Sequence, residues 1–234
     1  MAPFLRSQHM PVPMKVAVVR GVILPKLLFG AEVYGMRKAI THAMQVQMNR
    51  AFRLVVGMSE RGTVSNVALW RELDIPPICA SAAARRARAL QKAGSMRTTI
   101  ATVVNSHFSS RRWTWSTGTQ RWMNRYALSA QISHLVWRRE ERLYAKSKAG
   151  QWYIKAQFER AKMSVAAAAE YPGLAHGIAT LIQCRLGGFW DAGRLSRRGL
   201  VHPKWKRMCP CCKEKVPEDL AHVLFDCPRW KDGR

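Results

Sequence analysis

Apolar residues along this chain recur at the three-and-four spacing of helices, and alternation of the kind that makes strands does not persist beyond a few residues. In the segment opening at Met14, positions 16, 19, 22, 23 and 27 form one helical stripe, which Pro25 kinks or interrupts. Thr41 is placed to cap a second helix reaching Val56, with Met44, Met48, Phe52 and Val55 inward and Gly57 as its stop. Ser65 caps a short helix through Leu73, and the Ile75-Pro-Pro77 turn leads into a helix over 78–93. Further helices are predicted over 98–108, 119–146, 151–170 and 175–186, the last ended by Gly187-Gly188. Residues 109–118 read as a turn, 189–206 as a connector, and the prolines at 3, 11 and 13 predict an irregular lead-in. The expectation is a mainly α chain, a helical bundle followed by a small C-terminal module, divided at 1–60, 61–190 and 191–234.

At 234 residues and 48% hydrophobic, the chain has the material for one good core or two small ones. Its most apolar stretch, 16–36, is broken by Arg20, Pro25, Lys26 and Glu32, so it is read as a buried helix and not a membrane span. The N-terminus lacks the apolar run and cleavage site of a signal peptide. What changes the picture is charge. A formal +25, with a pI near 10.9, makes a compact body repel itself, and a polyanion relieves that. Nucleic acid is the first candidate partner and an anionic membrane surface the second. Six cysteines, four of them crowded between 209 and 227, argue against a secreted disulfide scaffold. Cys79 and Cys184 read as lone buried thiols in a reducing compartment, nuclear or cytoplasmic.

The cations are not evenly spread. Between Asp74 and Glu140 there is no acidic residue, while Arg85, Arg86, Arg88, Arg111, Arg112, Arg121 and Arg125 all fall there. Solvated helices usually mix both signs, because like charges one turn apart oppose folding. Phosphate contacts would repay that repulsion. Trp113, Trp115 and Trp122 interleave with these arginines, a pattern suited to stacking on bases. Trp122 and Trp137 are read first as core anchors. A second basic group, Arg185, Arg194, Arg197, Arg198, Lys204, Lys206 and Arg207, leads into the cysteine-rich tail, and the two together predict a continuous cationic surface.

In that tail, Cys209 and Cys212 form a C-x2-C clasp, and His222 with Cys227 completes a four-ligand set. Zinc binds Cys and His tetrahedrally, and a closed set of four is structural in character. Cys211 can replace either neighbour, although Cys209 with Cys212 has the better spacing. Glu218-Asp219 is placed to open a short helix carrying His222 inward; an i, i+5 pair does not share an α-helical face, so Cys227 is expected at its frayed end. No catalytic constellation emerges. Adjacent acids occur only at Glu140-Glu141 and Glu218-Asp219, and there is no phosphate-binding loop, nucleophile elbow or H-E-x-x-H pair.

These residues also carry a resemblance. Cys209-x2-Cys212, Glu218, and His222-Val-Leu-Phe-Asp-Cys227-Pro-Arg-Trp230 resemble the zinc-binding segment that ends non-LTR (LINE-type) retrotransposon reverse transcriptases. Thr180-Leu-Ile-Gln-Cys-Arg185-Leu-Gly187 resembles the helix before that segment, and the run from Val22 through Pro25, Gly30 and Tyr34 to Gly35 resembles the thumb helix that follows the palm. The resemblance implies thumb-like helices over 1–60, a basic helical linker over 61–190 and a zinc knuckle-like module over 191–234. It implies a piece of an RNA-directed DNA polymerase without fingers or palm, those missing parts packing on the N-terminal helices. Such a piece would grip template RNA and target DNA during target-primed reverse transcription without performing phosphoryl transfer. A zinc-stabilised protein-interaction module and a non-functional remnant are the alternatives.

Overall fold

Pro25 shows how this sequence bends its own helices. Proline lacks the N–H that an α-helix needs and its ring presses on the carbonyl one turn back. In a computed structural model of the chain, the helix α2 (Val12–Val18) does not stop before it. It widens into a π turn over Val19–Ile23, where the Leu24 N–H reaches back to the Val19 carbonyl, and continues as α3 (Leu24–Leu27). The extra residue in the turn shifts the apolar register: Val12, Val16 and Val19 are buried as a stripe, but Val22 emerges into solvent and the next buried position is Leu28. The structure describes residues 2–60, 64–99, 101–102, 114–125, 132–147, 151, 153 and 162–233.

Among the described residues the regular structure is helical throughout, with no strand. A short α1 (Ala2–Arg6) lies within the expected irregular lead-in. After Gly30, whose φ of 69° suits only glycine well, come α4 (Ala31–Tyr34) and α5 (Lys38–Val55). Thr41 is not the cap of α5. The helix starts three residues earlier, and the Thr41 hydroxyl donates back to the Arg37 and Lys38 carbonyls. Met48, Phe52 and Val55 are fully buried as expected, Met44 is half-buried, and Gly57, with φ of 71°, ends the segment.

Helices α6 (Asn66–Glu72) and α7 (Ile78–Ser95) follow the predicted boundaries closely. Ser65 occupies the cap position of α6, without a side-chain cap bond. Pro77 offers α7 no cap, so Gln45 of α5 supplies one: its Oε1 accepts the Ile78 N–H at 2.6 Å. Gln45 Nε2 and Trp70 Nε1 both donate to Asn49 Oδ1 at 2.8 Å, which ties α5, α6 and α7 together through satisfied polar groups. Glu72, wholly buried, accepts the Tyr153 hydroxyl at 2.9 Å.

The alanines of α7 have a packing purpose. Ala80, Ala82 and Ala83 are fully buried, and α4 lies against them. The approach is so close that a Cβ on Gly35 would collide with the carbonyl oxygens of Ala82 and Ala31. Backbone atoms cannot swing aside, so Gly35→Ala is expected to lower stability by at least about 2 kcal/mol, read as a drop in the urea midpoint at unchanged slope.

The turn expected over 109–118 is in part a helix. Thr114 caps α8 (Trp115–Asn124) through a reciprocal pair with Thr117, and Gly118 lies inside it. Helix α8 ends at Asn124 and α9 spans Ile132–Ala145; residues 126–131 of the expected 119–146 helix lie outside the described residues. The helices expected over 98–108 and 151–170 fall largely outside the described residues, apart from α10 (Lys162–Glu170). A small cluster of Ala80, Ala83, Ala87, Met123 and Val136 joins α7, α8 and α9, with Trp122 packed on it as an anchor.

The chain separates into two compact units, Met1–Ile182 and Gln183–Arg234. Residues 1–60 and the helices that follow them therefore belong to one unit, because α1 packs on α5 while α4 and α5 both pack on α7. Helix α11 (Ala175–Arg185) ends as predicted: Gly187 has φ of 65°, its N–H bonds to Cys184 and that of Gly188 to Gln183. The expected connector contains a helix of its own, α12 (Ala192–Arg197), capped by Asp191, and a 3-10 turn over Pro203–Lys206.

Candidate metal centre and basic surface

The second unit buries few apolar side chains, Cys184, Leu186 and Ala192 besides Cys209 and Cys227, and four residues from two short turns form the cluster at its centre. Cys209, Cys212, His222 and Cys227 bring their ligand atoms within 4.8 Å of one another. Cys209 and Cys227 are fully buried and His222 nearly so. The first turn is closed by the Lys213 N–H on the Cys209 carbonyl at 2.9 Å and the Cys209 N–H on the Glu214 carbonyl at 3.1 Å, with Lys213 at a φ of 62°. Backbone N–H groups of Cys212 and Cys211 point at the Cys209 sulfur.

The second turn resolves the awkward spacing of His222 and Cys227. Asp219 accepts the His222 N–H at 2.8 Å, and the chain then forms a π turn over His222–Asp226. In a π turn the bond runs from residue i+5 to residue i, and here the Cys227 N–H meets the His222 carbonyl at 2.6 Å. The wider turn brings i and i+5 to the same side, so both ligands face the cluster. Cys227 lies just past the turn in extended conformation, as expected, and Pro228 follows it. Glu218 does not join the turn; its carboxylate accepts the Ala192 N–H at the start of α12.

A tetrahedral ion with Cys sulfur at about 2.3 Å and His nitrogen at about 2.0 Å separates its ligand atoms by roughly 3.5–3.8 Å. Cys212 Sγ and His222 Nε2 lie 3.4 Å apart, close to that spacing, and all four donor atoms are near enough to hold one metal ion. None of the cysteines is in a disulfide, and Cys211, half-buried, stands outside the ligand group. Burial works to raise the Cys209 pKa, but the hydrogen bonds from Cys212 and Cys211 outweigh it and bring the thiol down to about 7. Cys212 moves the other way, pushed up to about 11 by burial and by its hydrogen bonds with Cys209 and Cys227. Outside the cluster Cys184 is buried and Cys79 half-buried, and loss of solvation raises both thiols, Cys79 to about 11.

The arginines expected on a phosphate-facing surface divide into three groups. Arg88, Arg121, Arg125, Arg197, Arg198, Lys204, Lys206 and Arg207 are exposed. Arg111, Arg112 and Trp113 lie outside the described residues. The rest are engaged in the fold. Arg85 is half-buried and donates to the Leu28 carbonyl at 3.3 Å, and Arg194 donates to the Gly187 and Phe189 carbonyls at 2.6 and 3.0 Å.

Arg86 departs furthest from the expectation. It is 8% exposed, and its three nitrogens reach Thr119 Oγ1 at 2.9 Å, the Val33 carbonyl at 2.8 Å and the Trp115 carbonyl at 3.2 Å. Its guanidinium also stacks on the Trp115 ring at 5.5 Å, while Trp115 Nε1 donates to the Glu32 carbonyl at 2.9 Å. Arg86 therefore fastens α4 and α8 to α7 and does not present itself to a ligand. Arg86→Met would keep the bulk and leave these acceptors unmatched, so it is expected to cost about 1–3 kcal/mol, measurable as a lowered melting temperature.

Two aromatic partners were not legible as such in the sequence. Arg198 lies over Trp190 at 4.8 Å and Lys204 over Trp205 at 4.4 Å on the second unit, with both cations and Trp190 exposed and Trp205 half-buried. Among the described residues no helix is long and apolar enough to cross a membrane. Comparison of the chain with protein-family models, curated proteins and solved structures finds no match.

Proposed function

We propose that this chain is a non-catalytic nucleic-acid-binding protein whose C-terminal unit is a knuckle-like module built on a structural zinc ion. The observation that carries the reading is the closed Cys3His group set in a chain of formal charge +25. Soft thiolates with one imidazole in a tetrahedral set select zinc among common divalent ions, and four protein ligands leave no open position for chemistry. Exposed arginines and lysines on each unit supply phosphate contacts, and Trp190 and Trp205 beside their cations offer faces on which unpaired bases can stack.

Three of the four adjacent carboxylates are engaged in structure. Glu141 pairs with Arg71 at 3.4 Å, Glu218 caps α12, and Asp219 caps the His222 turn. On the resemblance to non-LTR reverse transcriptases, the chain is the thumb, basic linker and zinc segment of such an enzyme, gripping template RNA, target DNA or both. A second reading, a zinc-stabilised protein-interaction module, draws on Phe225, Leu224 and Trp230, which are 74%, 44% and 48% exposed on that unit.

Native mass spectrometry of the full chain is expected to find one zinc. The zinc-loaded protein is expected to bind single-stranded RNA, single-stranded DNA or duplex, and to bind polyglutamate more weakly. Failure to bind any polynucleotide in dilute buffer would end the first reading, and preference for the acidic polypeptide would favour the second.

A further inference from the structure

A cavity of 520 Å³ opens in the first unit between the end of α4, the middle of α7 and α8. Its wall on α8 is a single helical stripe, in which Trp115, Gly118, Arg121, Trp122 and Arg125 recur at three- and four-residue spacing. Arg86 of α7 and Arg37, at the cap position of α5, line the same space, with Tyr34 beside them. Four guanidinium groups thus meet around one hollow, and its described lining contains no carboxylate. Glu140 lines the adjoining cavity, which shares Met36, Trp122 and Arg125.

Positive charges gathered around one hollow favour an anion among them. Arg37, Arg121 and Arg125 are exposed at the mouth, while Arg86 is buried at the wall and holds only neutral acceptors among its hydrogen-bond partners given above. Arginine forks match phosphate oxygens two at a time. The indole of Trp122 adds an apolar face, and the volume falls within the roughly 300–1,000 Å³ of small-ligand sites. A simple anion would use the charge alone. A ligand with a phosphate at one end and a flat ring at the other uses both.

We propose that this cavity binds one nucleoside monophosphate unit, with the phosphate on Arg37, Arg121 and Arg125 and the base against Trp122. The unit is either a free nucleotide or the phosphorylated end of a single strand. This goes beyond contact with a polymer along the exposed surface, because it assigns a bounded pocket that reads one nucleotide.

The test uses the full zinc-loaded chain, with tryptophan fluorescence and calorimetry as readouts. AMP is expected to bind more tightly than adenosine or inorganic phosphate alone. R121Q/R125Q is expected to weaken AMP at least tenfold while leaving the circular dichroism spectrum and melting temperature near the parent values. Should that pair unfold the protein, R37Q supplies the same comparison from the opposite wall. Equal affinity of AMP for parent and folded variants, or no AMP binding at all, would overturn the proposal. A 5′-phosphorylated oligonucleotide binding tenfold better than its dephosphorylated twin identifies the strand end as the source; equal binding identifies the free nucleotide. Polynucleotide binding without AMP binding leaves the surface reading standing and removes the pocket. AMP binding without polynucleotide binding does the reverse.

Discussion

On the proposed zinc reading, chelating the metal is expected to unfold residues 183–233 while the helices of the first unit persist. The second unit is small, its exposed side chains include Trp190, Leu200, Phe225 and Trp230, and its most buried residues include Cys209, Cys227 and His222 of the cluster. A structural zinc of this type contributes roughly 10–16 kcal/mol at neutral pH, more than so short a segment gains from apolar burial. Hydrogen exchange followed by mass spectrometry, with and without a strong chelator, is the measurement. Loss of protection confined to the second unit is the expected pattern. Unchanged protection after complete chelation would show that the fold there does not depend on metal.

Acidification should act in the same direction. Metal uptake requires the Cys212 thiol, held at about 11 in the metal-free cluster, to give up its proton, so zinc affinity rises with pH through neutrality. In the metal-free chain the two thiols have opposite linkage. Cys209 lies below its ordinary value of 9.0, so its contribution is present above that value and lost as pH falls through about 7. Cys212 lies above 9.0, so its contribution is present below that value and lost as pH rises toward 11. Cys209→Ser and His222→Ala should each reproduce the chelated state without chelator.

Affinity for nucleic acid is expected to collapse with salt. If six to ten of the exposed cations meet phosphates, raising salt from about 50 to 200 mM should weaken binding by roughly 10³–10⁵-fold, because the released counterions must be taken back. The slope of log K against log salt then counts the contacts. Replacing Arg197, Arg198, Lys204 and Lys206 by glutamine should reduce that slope, each lost contact by roughly 0.7–0.9, and weaken all sequences alike. Arg86→Met offers the control: buried and bonded to backbone carbonyls, it should change stability and leave the slope alone. A slope near zero for the parent protein would mean that the positive charge serves something other than phosphate.

The elements were legible wherever the local signal was complete. The Phe52 face of α5, the proline-led start of α7 and the Gly187 stop of α11 follow directly from spacing, proline and glycine. The four ligands were legible too, because a two-residue gap and a nearby His-Cys pair admit few other uses. What failed were inferences that needed a neighbour. Thr41 has the chemistry of a cap, yet α5 begins earlier, where α4 and the Arg37 turn deliver the chain. Residues 114–118 look polar enough for a turn, yet Thr114 and Thr117 cap each other and start a helix that Arg86 then holds.

By itself the sequence determined that the chain is helical, strongly cationic and equipped with a metal-ligand set, because periodicity, charge and ligand spacing are properties of the chain alone. Tertiary structure decided which cations are available. Arg86 and Arg88 are indistinguishable in composition, but one faces α8 and is consumed by carbonyls while the other faces water. It also decided that Arg37 joins Arg121 and Arg125 around one cavity, since residues so far apart in the chain meet only when Gly35 lets α4 settle onto α7. The reason in each case is the same: a side chain's chemistry is local, but whether its charge is spent on the fold or left for a ligand depends on what packs against it.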